Sequence, residues 1–252
     1  MSTLSGKTAL VTGGSRGIGR AIAERLGRDG ARVGVHYGRD ETAAKETVAA
    51  IEAAGGSAFP VRALLGTEGD AETLWAAFDA QADGLDILVN NAGITGPRTG
   101  IQGSTPEEFD ALFAVNVKAP FFITRLGLSR LRDGGRIINL STGLTRRAGA
   151  MTDIVAYTMS KGALDQFTVS LAKEFGPRGI TVNAVAPGVI DTDMNADWLR
   201  GGEEARDSVA GSSPLGRLGQ PADVADIAGF LASDDARWVT GQWVDAAGGA
   251  LL

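Results

Sequence analysis

The stretch TGGSRGIGRAIAERL, residues 12–26, joins an apolar run to an amphipathic helical pattern through a glycine-rich turn. Glycines at such a turn let the backbone bend sharply and approach a pyrophosphate, whose charge is stabilised by the N-terminus of the next helix. The pattern predicts a dinucleotide site, and the competing interpretation is a plain strand-to-helix turn. The cofactor contacts predicted here are Gly13, Ser15, Arg16, Gly17, Ile18 and Gly19.

Outward from this turn, short apolar runs alternate with helical patterns. Strands are predicted at 7–12, 32–37, 58–62, 86–90, 135–140, 180–186 and 242–245. Helices are predicted at 17–29, 40–54, 69–82, 106–131 with an interruption, 156–175 and 221–232. Several of the strands are apolar on both faces, as an α/β protein with a parallel sheet between two layers of helices requires. We expect one domain over residues 1–252, with a polar, glycine-rich substrate loop or lid at about 187–220.

Composition argues against several classes of function. The net charge of -6 does not favour non-specific binding to nucleic acid or to anionic membranes. The chain shows no signal-like N-terminus and no apolar run of membrane-spanning length, so a cytoplasmic protein is expected. With no cysteine and a single histidine, His36, neither a metal site nor a Ser-His-Asp triad is expected. His36 is interpreted as a partly buried strand residue without a chemical role.

The stretch VGVHYGRD, residues 33–40, bears on the choice between NAD(H) and NADP(H). Dinucleotide-binding folds commonly place an acid at this point, where it binds the ribose hydroxyls. Tyr37 and Gly38 stand there instead, and Arg39 follows. Arg39 and Arg16 could pair with a 2′-phosphate, so we predict NADP(H); the alternative is two solvated arginines near a turn.

Tyr157 and Lys161 are four residues apart on the core-facing stripe of a predicted helix, where a lysine needs a partner. A cation within about 4–6 Å is expected to lower the pKa of the phenol by about 1–3 units from its usual value near 10. Tyr157 would then serve as a general acid or base. Beside a nicotinamide, which carries the hydride, this proton transfer would interconvert a carbonyl and an alcohol.

Taken together, these motifs make the chain resemble the short-chain dehydrogenase/reductase family. The matching motifs are TGGSRGIG at 12–19, NNAG at 90–93, Asn116 in AVNVKAP, YTMSK at 157–161, and PG at 187–188 followed by IDTDM. The resemblance implies a doubly wound Rossmann sheet of about seven parallel strands and a homotetramer. It also implies that Asn90 steadies the central strand and that Asn116 holds a water in a proton relay to Lys161. The further cofactor contacts that it implies are Asn91, Ala92, Gly93, Tyr157, Lys161, Pro187, Gly188, Ile190 and Thr192.

The chain departs from the family pattern at two points. After the third strand the family often has an acid near the adenine, where this chain has Leu64. The family's carbonyl-polarising serine usually stands about 13 residues before the tyrosine, which here is Leu144, a residue that cannot donate a hydrogen bond. Counting instead from the end of the strand RIINL places Thr142 there, because loops tolerate insertions better than strands do. Thr142 is therefore predicted to polarise the carbonyl, with Ser141 as the alternative.

The leading hypothesis is an NADP(H)-dependent oxidoreductase that acts on a carbonyl or secondary alcohol, most similar to the β-ketoacyl-carrier-protein reductase subgroup. One alternative is a sugar or polyol dehydrogenase of the same family, and another is a non-catalytic dinucleotide-binding sensor or scaffold. Arg146 and Arg147 either attract an anionic substrate or are solvated loop residues. Trp238 and Trp243, which flank the last strand, are expected to pack in the core or at a subunit interface.

Overall fold

One sheet of seven parallel strands forms the centre of the computed structural model, which describes residues 3–147, 151–199 and 202–250. The strands are β1 (Thr8–Val11), β2 (Arg32–Tyr37), β3 (Ser57–Arg62), β4 (Leu85–Asn90), β5 (Leu131–Leu140), β6 (Thr181–Pro187) and β7 (Trp243–Ala246). The helices are α1 (Gly17–Arg28), α2 (Glu41–Ala53), α3 (Asp70–Asp79), α4 (Gly100–Gly103), α5 (Pro106–Phe113), α6 (Ala119–Gly127), α7 (Val155–Phe175), α8 (Ala196–Leu199), α9 (Glu203–Gly211) and α10 (Pro221–Ala232).

The strand order opens a crevice at the carboxyl edge of the sheet. The order is β3-β2-β1-β4-β5-β6-β7, and all neighbouring strands are parallel. The connections run outward from β1 on one side and from β4 on the other, so their direction reverses between these two strands. Loops that leave the strands at such a switch point separate, and ligands bind between them. The glycine-rich loop leaves β1 and the NNAG segment leaves β4, so both border the crevice.

Apolar side chains cover both faces of the sheet. On one face the strands pack against α1 and α10, with Ile22 and Val224 among the buried residues. On the other face they pack against α3, α6 and α7, with Leu74, Ile123 and Leu171 among the buried residues. The predicted α/β class, a doubly wound parallel sheet with helices on both sides, is thereby confirmed.

Three elements differ from the predicted ones. Strand β5 begins at Leu131 rather than at 135, and its register against β4 shifts between Leu85 and Ile87. Its first residues include exposed, charged positions, so the apolar pattern does not mark them. The predicted helix at 106–131 is interrupted by a π-helical segment, Ala114–Lys118, and ends at Gly127. The predicted loop at 187–220 contains the helices α8 and α9.

A buried chain of amide and hydroxyl groups ties helix α7 to the middle of the sheet. The Asn90 Nδ2 donates to the Asn139 Oδ1 at 2.9 Å and to the Thr124 Oγ1 at 3.2 Å. The Asn139 Nδ2 in turn donates to the Thr168 Oγ1 at 2.8 Å. Because buried polar groups are costly unless they are hydrogen-bonded, this chain fixes how α7 sits against β4 and β5. The same helix carries Tyr157 and Lys161.

Within the described ranges, the structure contains no helix whose length and apolar character would allow it to cross a membrane.

Candidate active site

The glycine-rich loop forms a cradle that a larger residue would fill. Gly13 and Gly17 have φ angles of 62° and 54°, in the left-handed region that glycine adopts without strain. A Cβ on Gly19 would lie 2.1 Å from the carbonyl oxygen of Gly13, so a side chain at this position would collide with the loop backbone. The loop therefore passes directly over the first turn of α1.

Helix α1 begins without a side-chain cap. Its N-cap residue, Arg16, has extended backbone and makes no side-chain cap hydrogen bond, and the first turn contains no acid. The uncapped N–H groups and the positive end of the helix dipole suit a pyrophosphate. With the close approach of Gly19, this geometry fits a dinucleotide at the predicted loop residues.

Residues from β4 hold the loop in place. The Asn91 Nδ2 donates to the carbonyl oxygens of Thr12 and Gly13, at 2.8 and 3.1 Å. The backbone N–H groups of Asn91 and Ala92 both donate to the Thr12 Oγ1, at 2.9 and 3.0 Å. The Asn91 amide nitrogen thus supports the glycine-rich loop, a contact that the family resemblance did not specify.

Two exposed arginines lie in the loops that follow β1 and β2. Arg16 and Arg39 are exposed, and neither forms a salt bridge with a residue in the described part of the chain. Tyr37 is buried at the end of β2. Leu64 is 42% exposed, and its Cδ1 would lie 3.5 Å from a Cβ on Gly38. Leu64 therefore lies beside Gly38, the residue that precedes Arg39.

Helix α7 brings Lys161 into the protein interior beneath Tyr157. Lys161 is 4% exposed, and its Nζ donates to the carbonyl oxygen of Leu140 at 2.7 Å. The same Nζ lies 5.9 Å from the centroid of the Tyr157 ring. The partner that a buried lysine requires is therefore the backbone at the end of β5, and the ammonium faces the tyrosine ring.

The expectation that Lys161 lowers the pKa of Tyr157 is wrong for this structure. Desolvation raises the pKa of Tyr157 to about 12, and the neighbouring Thr142 hydroxyl opposes that rise. Desolvation likewise lowers the pKa of Lys161 to about 8, against the opposing charge of Asp165. For each group desolvation outweighs the neighbour that favours the charged form, which is the Thr142 hydroxyl for Tyr157 and the Asp165 carboxylate for Lys161. The phenol is therefore protonated at neutral pH.

The two candidate hydroxyls point to different neighbours. The Thr142 hydroxyl lies beside the Tyr157 phenol, whose pKa it lowers, and it also accepts from the backbone N–H of Leu144 at 3.4 Å. Ser141 instead lies beside Asp165, whose pKa is raised by burial and lowered by the Ser141 and Thr145 hydroxyls. Successive residues of an extended segment point to opposite sides, so only one of the pair can face the tyrosine. In this structure that residue is Thr142.

Asn116 lies in the π-helical segment and binds the NNAG loop. Its Oδ1 accepts from the Ile94 N–H at 2.9 Å, and its Nδ2 donates to the Ile94 carbonyl at 2.8 Å and to the Ser160 Oγ at 3.0 Å. A Cβ on Gly93 would lie 3.3 Å from both the Asn116 Oδ1 and the Lys161 Nζ. Asn116, Gly93 and Lys161 therefore lie close together. The sequence pattern does not predict the π-helical turn that orients Asn116.

The residues after β6 reach the glycine-rich loop. Thr192 lies over the glycine-rich loop, with its Cγ2 3.4 Å from where a Cβ on Gly17 would be. Ile190 is 2% exposed and packs into the core, so only its backbone faces outward. Gly188, which follows Pro187, packs closely on Ala247, because an added Cβ would lie 2.8 Å from the Ala247 Cβ. Of the residues predicted on this segment, Thr192 therefore borders the glycine-rich loop, while Ile190 packs into the core and Gly188 against Ala247.

Residues of β7 hold the loop that follows Thr142, and the sequence interpretation did not find them. The Trp243 Nε1 donates to the Thr145 Oγ1 at 3.1 Å, and the Arg146 guanidinium lies 4.4 Å from the centroid of the Trp243 ring. Arg147 forms an ion pair with Asp245. Both loop arginines therefore have partners on β7: Arg147 is ion-paired with Asp245, whereas Arg146 keeps its charge and packs over the Trp243 ring. The three residues that follow Arg147 lie outside the described ranges.

Comparisons with known proteins agree with this geometry. The family model described as enoyl-(acyl carrier protein) reductase matches residues 13–250. The angucycline C-6 ketoreductase LanV is 49% identical, and its crystal structure with bound NADP has a TM-score of 0.92 over 99% of this chain and 97% of that chain. Versicolorin reductase 1 of Aspergillus parasiticus is 42% identical over 256 residues, which cover 98% of this chain and 97% of the relative. Trihydroxynaphthalene reductase of Colletotrichum orbiculare is 39% identical over 267 residues, which cover 100% of this chain and 92% of the relative.

The chain belongs to the short-chain dehydrogenase/reductase family, as its motifs predicted. The motifs that carried this prediction border a single crevice between β1 and β4.

The state of the phenol can be measured directly, because the chain has only two tyrosines, Tyr37 and Tyr157. With the Tyr157 pKa raised to about 12, we expect the wild-type protein and the Tyr157→Phe variant to show the same ultraviolet phenolate absorbance up to about pH 10. Tyr37→Phe is the matched control for the other ring. A phenolate signal that appears near pH 7 to 8 and is lost only in Tyr157→Phe would contradict the dominant effect of desolvation.

Proposed function

We propose that this protein uses NADPH to reduce a ketone carried on a fused-ring aromatic substrate. The chain is an NADP(H)-dependent oxidoreductase for carbonyl groups, as its sequence predicted. The observation that carries the proposal is the position of the Thr142 hydroxyl beside the Tyr157 phenol, with the Lys161 ammonium near the same ring. Two donors next to one another can bind one carbonyl oxygen, as reduction of a ketone requires.

The proposed chemistry assigns one task to each polar group. The bound nicotinamide supplies the hydride. Thr142 donates a hydrogen bond to the carbonyl oxygen, and Tyr157 transfers its phenolic proton to that oxygen as negative charge develops there. Lys161 stabilises the resulting phenolate by its charge. A phenol that is protonated at neutral pH suits this direction of reaction, because reduction begins with a proton donor.

Asn116 has a positioning role in this proposal. Its side chain holds both backbone groups of Ile94 and so fixes the NNAG segment against α7. The family resemblance assigns it a water that relays protons towards Lys161. Its contact with Ser160 and its convergence with Lys161 at Gly93 support this placement.

Two features of the cleft favour an apolar, neutral substrate. Ile94, which follows the NNAG motif and whose backbone is bound by Asn116, is 41% exposed, and Met194, just beyond Thr192, is 52% exposed. The loop arginines that could attract an acidic thioester carrier are held by Trp243 and Asp245. One relative is named for trihydroxynaphthalene, a pair of fused aromatic rings that bears hydroxyl groups. An aromatic ketone fits these features better than a sugar or a carrier-bound acyl chain.

A substrate panel tests the proposal. With NADPH, we expect a hydroxylated tetralone to be reduced with a kcat/KM at least about tenfold above that for an acetoacetyl thioester or a ketose, a difference of roughly 1.4 kcal/mol. Tyr157→Phe should remove nearly all turnover and leave NADPH binding close to that of the wild type. A reversed order of substrates would favour the 3-oxoacyl-reductase or polyol-dehydrogenase alternative. NADPH binding without turnover on any compound would favour the sensor or scaffold.

The choice of cofactor rests on Arg39 and Arg16. We expect the Kd for NADPH to lie at least about tenfold below that for NADH, because charge-assisted hydrogen bonds to the 2′-phosphate contribute about 1.5–3 kcal/mol. Arg39→Ala should shrink this ratio by raising the Kd for NADPH alone. Lys45→Ala, which removes a cation that is paired with Glu41, is the control for a general loss of positive charge. Equal affinities in the wild type would rule out the assignment.

The assignment of Thr142 is tested against its neighbour. We expect Thr142→Val, which keeps the shape and removes the donor, to lower kcat by about 10²-fold or more. Ser141→Ala should stay within about threefold of the wild type, since this hydroxyl faces Asp165 rather than Tyr157. A collapse of kcat in Ser141→Ala alone would show that Ser141 polarises the carbonyl.

We also propose an oligomeric state and a location for this protein. Apolar side chains are exposed on α6 and α7, with Phe121 at 47% and Val169 at 50%, and Trp238 beside β7 is 97% exposed. These surfaces support the predicted homotetramer, whose mass can be measured by light scattering. The proposed location is the cytoplasm, and the proposed substrate lid is the segment at 187–220 that contains α8 and α9.

A further inference from the structure

His36, the single histidine, is buried in β2 with both ring nitrogens engaged. It is 3% exposed. The backbone N–H of Gly13 donates to its Nδ1 at 2.9 Å, and its Nε2 lies 3.0 Å from the carbonyl oxygen of Ala63. The imidazole thus spans from the glycine-rich loop to the end of β3.

The two partners fix the proton of the ring. A backbone N–H can only donate, so the Nδ1 must be unprotonated; a carbonyl oxygen can only accept, so the proton resides on the Nε2. Burial lowers the pKa of His36 to about 4, and the Ala63 carbonyl opposes that change. At neutral pH the ring is therefore uncharged and held in a single tautomer.

Each end of this bridge lies next to a cofactor-binding segment. Gly13 opens the glycine-rich loop, and the N–H of Gly14 also donates to the His36 carbonyl at 2.8 Å. Ala63 precedes Leu64, the residue predicted to lie near the adenine, and the Ala63 N–H donates to the Tyr37 carbonyl at 3.1 Å. The distance between the phosphate-binding loop and the adenine side of the crevice is therefore spanned by one rigid ring.

We propose that His36 is a positioning residue for the adenosine half of the cofactor: it sets the spacing between the glycine-rich loop and the β3–α3 turn without touching the ligand. This role depends on the proposed binding of NADP(H), and it affects affinity rather than turnover. Without the Nδ1 acceptor, the Gly13 N–H loses its partner at the point where the loop enters its left-handed turn. A partly buried donor left unpaired is costly, and the loop would move to satisfy it.

Two substitutions separate the two ends of the bridge. In His36→Asn the amide oxygen can take the place of the Nδ1 and keep the bond from Gly13, while the bond to Ala63 is lost. In His36→Gln the longer amide can reach Ala63 and leaves Gly13 unpaired. His36→Phe keeps a ring of similar size and removes both bonds. Val33→Ala, which truncates a buried side chain on the same strand, is the control for lost packing.

The decisive measurement is the Kd of each variant for NADPH and for 2′,5′-ADP, obtained by fluorescence titration and calorimetry. For both ligands we expect His36→Gln and His36→Phe to raise the Kd about tenfold, and His36→Asn to stay within about threefold of the wild type. The kcat at saturating NADPH should change less than about twofold in every variant, because the nicotinamide end is unaltered. If His36 had only a structural role, the variants would lose thermal stability, and the Kd would not rise while the kcat stayed nearly unchanged.

The outcomes distinguish this inference from the proposed function. If the wild type binds neither ligand, the proposed function fails. If the wild type binds and His36→Phe binds equally well, only the positioning role fails. A rise in Kd for Val33→Ala equal to that for His36→Phe, or a Kd for His36→Asn as high as that for His36→Gln, would also overturn it.

Discussion

The contact between the loops that leave β1 and β4 is the constraint on which the site depends. Asn91, just beyond β4, donates its amide hydrogens to the carbonyls of Thr12 and Gly13 and so ties the two sides of the crevice together. Because the crossovers reverse direction at these strands, the loops would otherwise separate. A Cβ on Gly19 would lie 2.4 Å from the Asn91 Nδ2, so the same contact leaves room only for glycine at this position.

A second set of contacts fixes the reactive end from the opposite side of the sheet. Strand β7 is far from Tyr157 in sequence, yet Trp243 and Asp245 hold the loop that begins at Thr142. Helix α7 is held in turn by the buried chain from Asn90 through Asn139 to Thr168. The spacing between Thr142 and Tyr157 is thus set by two independent supports, and a loop longer than the usual family pattern can still present its hydroxyl to the phenol.

Burial, rather than the nearby cation, decides the protonation of the site. Lys161 and Tyr157 share a weakly polar environment in which each is driven towards its neutral form. Such an environment keeps the phenol neutral until the reaction draws its proton away, while Lys161, with its pKa lowered to about 8, still carries its charge at neutral pH. His36 shows the same effect at the other end of the crevice, where its neutral ring can accept a bond that a charged ring could not.

Most of the fold could be predicted from the sequence, because periodicity and glycine placement are local. The glycine-rich turn, the alternation of strands and helices, and the pairing of Tyr157 with Lys161 each depend on residues that lie close together in the chain. Strand counting also selected Thr142 over Ser141, because alternation along a strand is a local rule. By itself, then, the sequence determined the fold class and the family, and it predicted the residues of the cofactor and catalytic sites.

Only the tertiary structure decided the features that depend on distant partners. The contacts of Asn116, the partners of Arg146 and Arg147, the raised pKa of Tyr157 and the two bonds of His36 all involve residues from different segments of the chain. Desolvation and hydrogen bonding depend on the residues that the fold brings around a group, and the spacing of a motif does not predict either of them. A histidine that looks ordinary in the sequence therefore becomes a bridge between two parts of the cofactor site once β1, β2 and β3 are aligned.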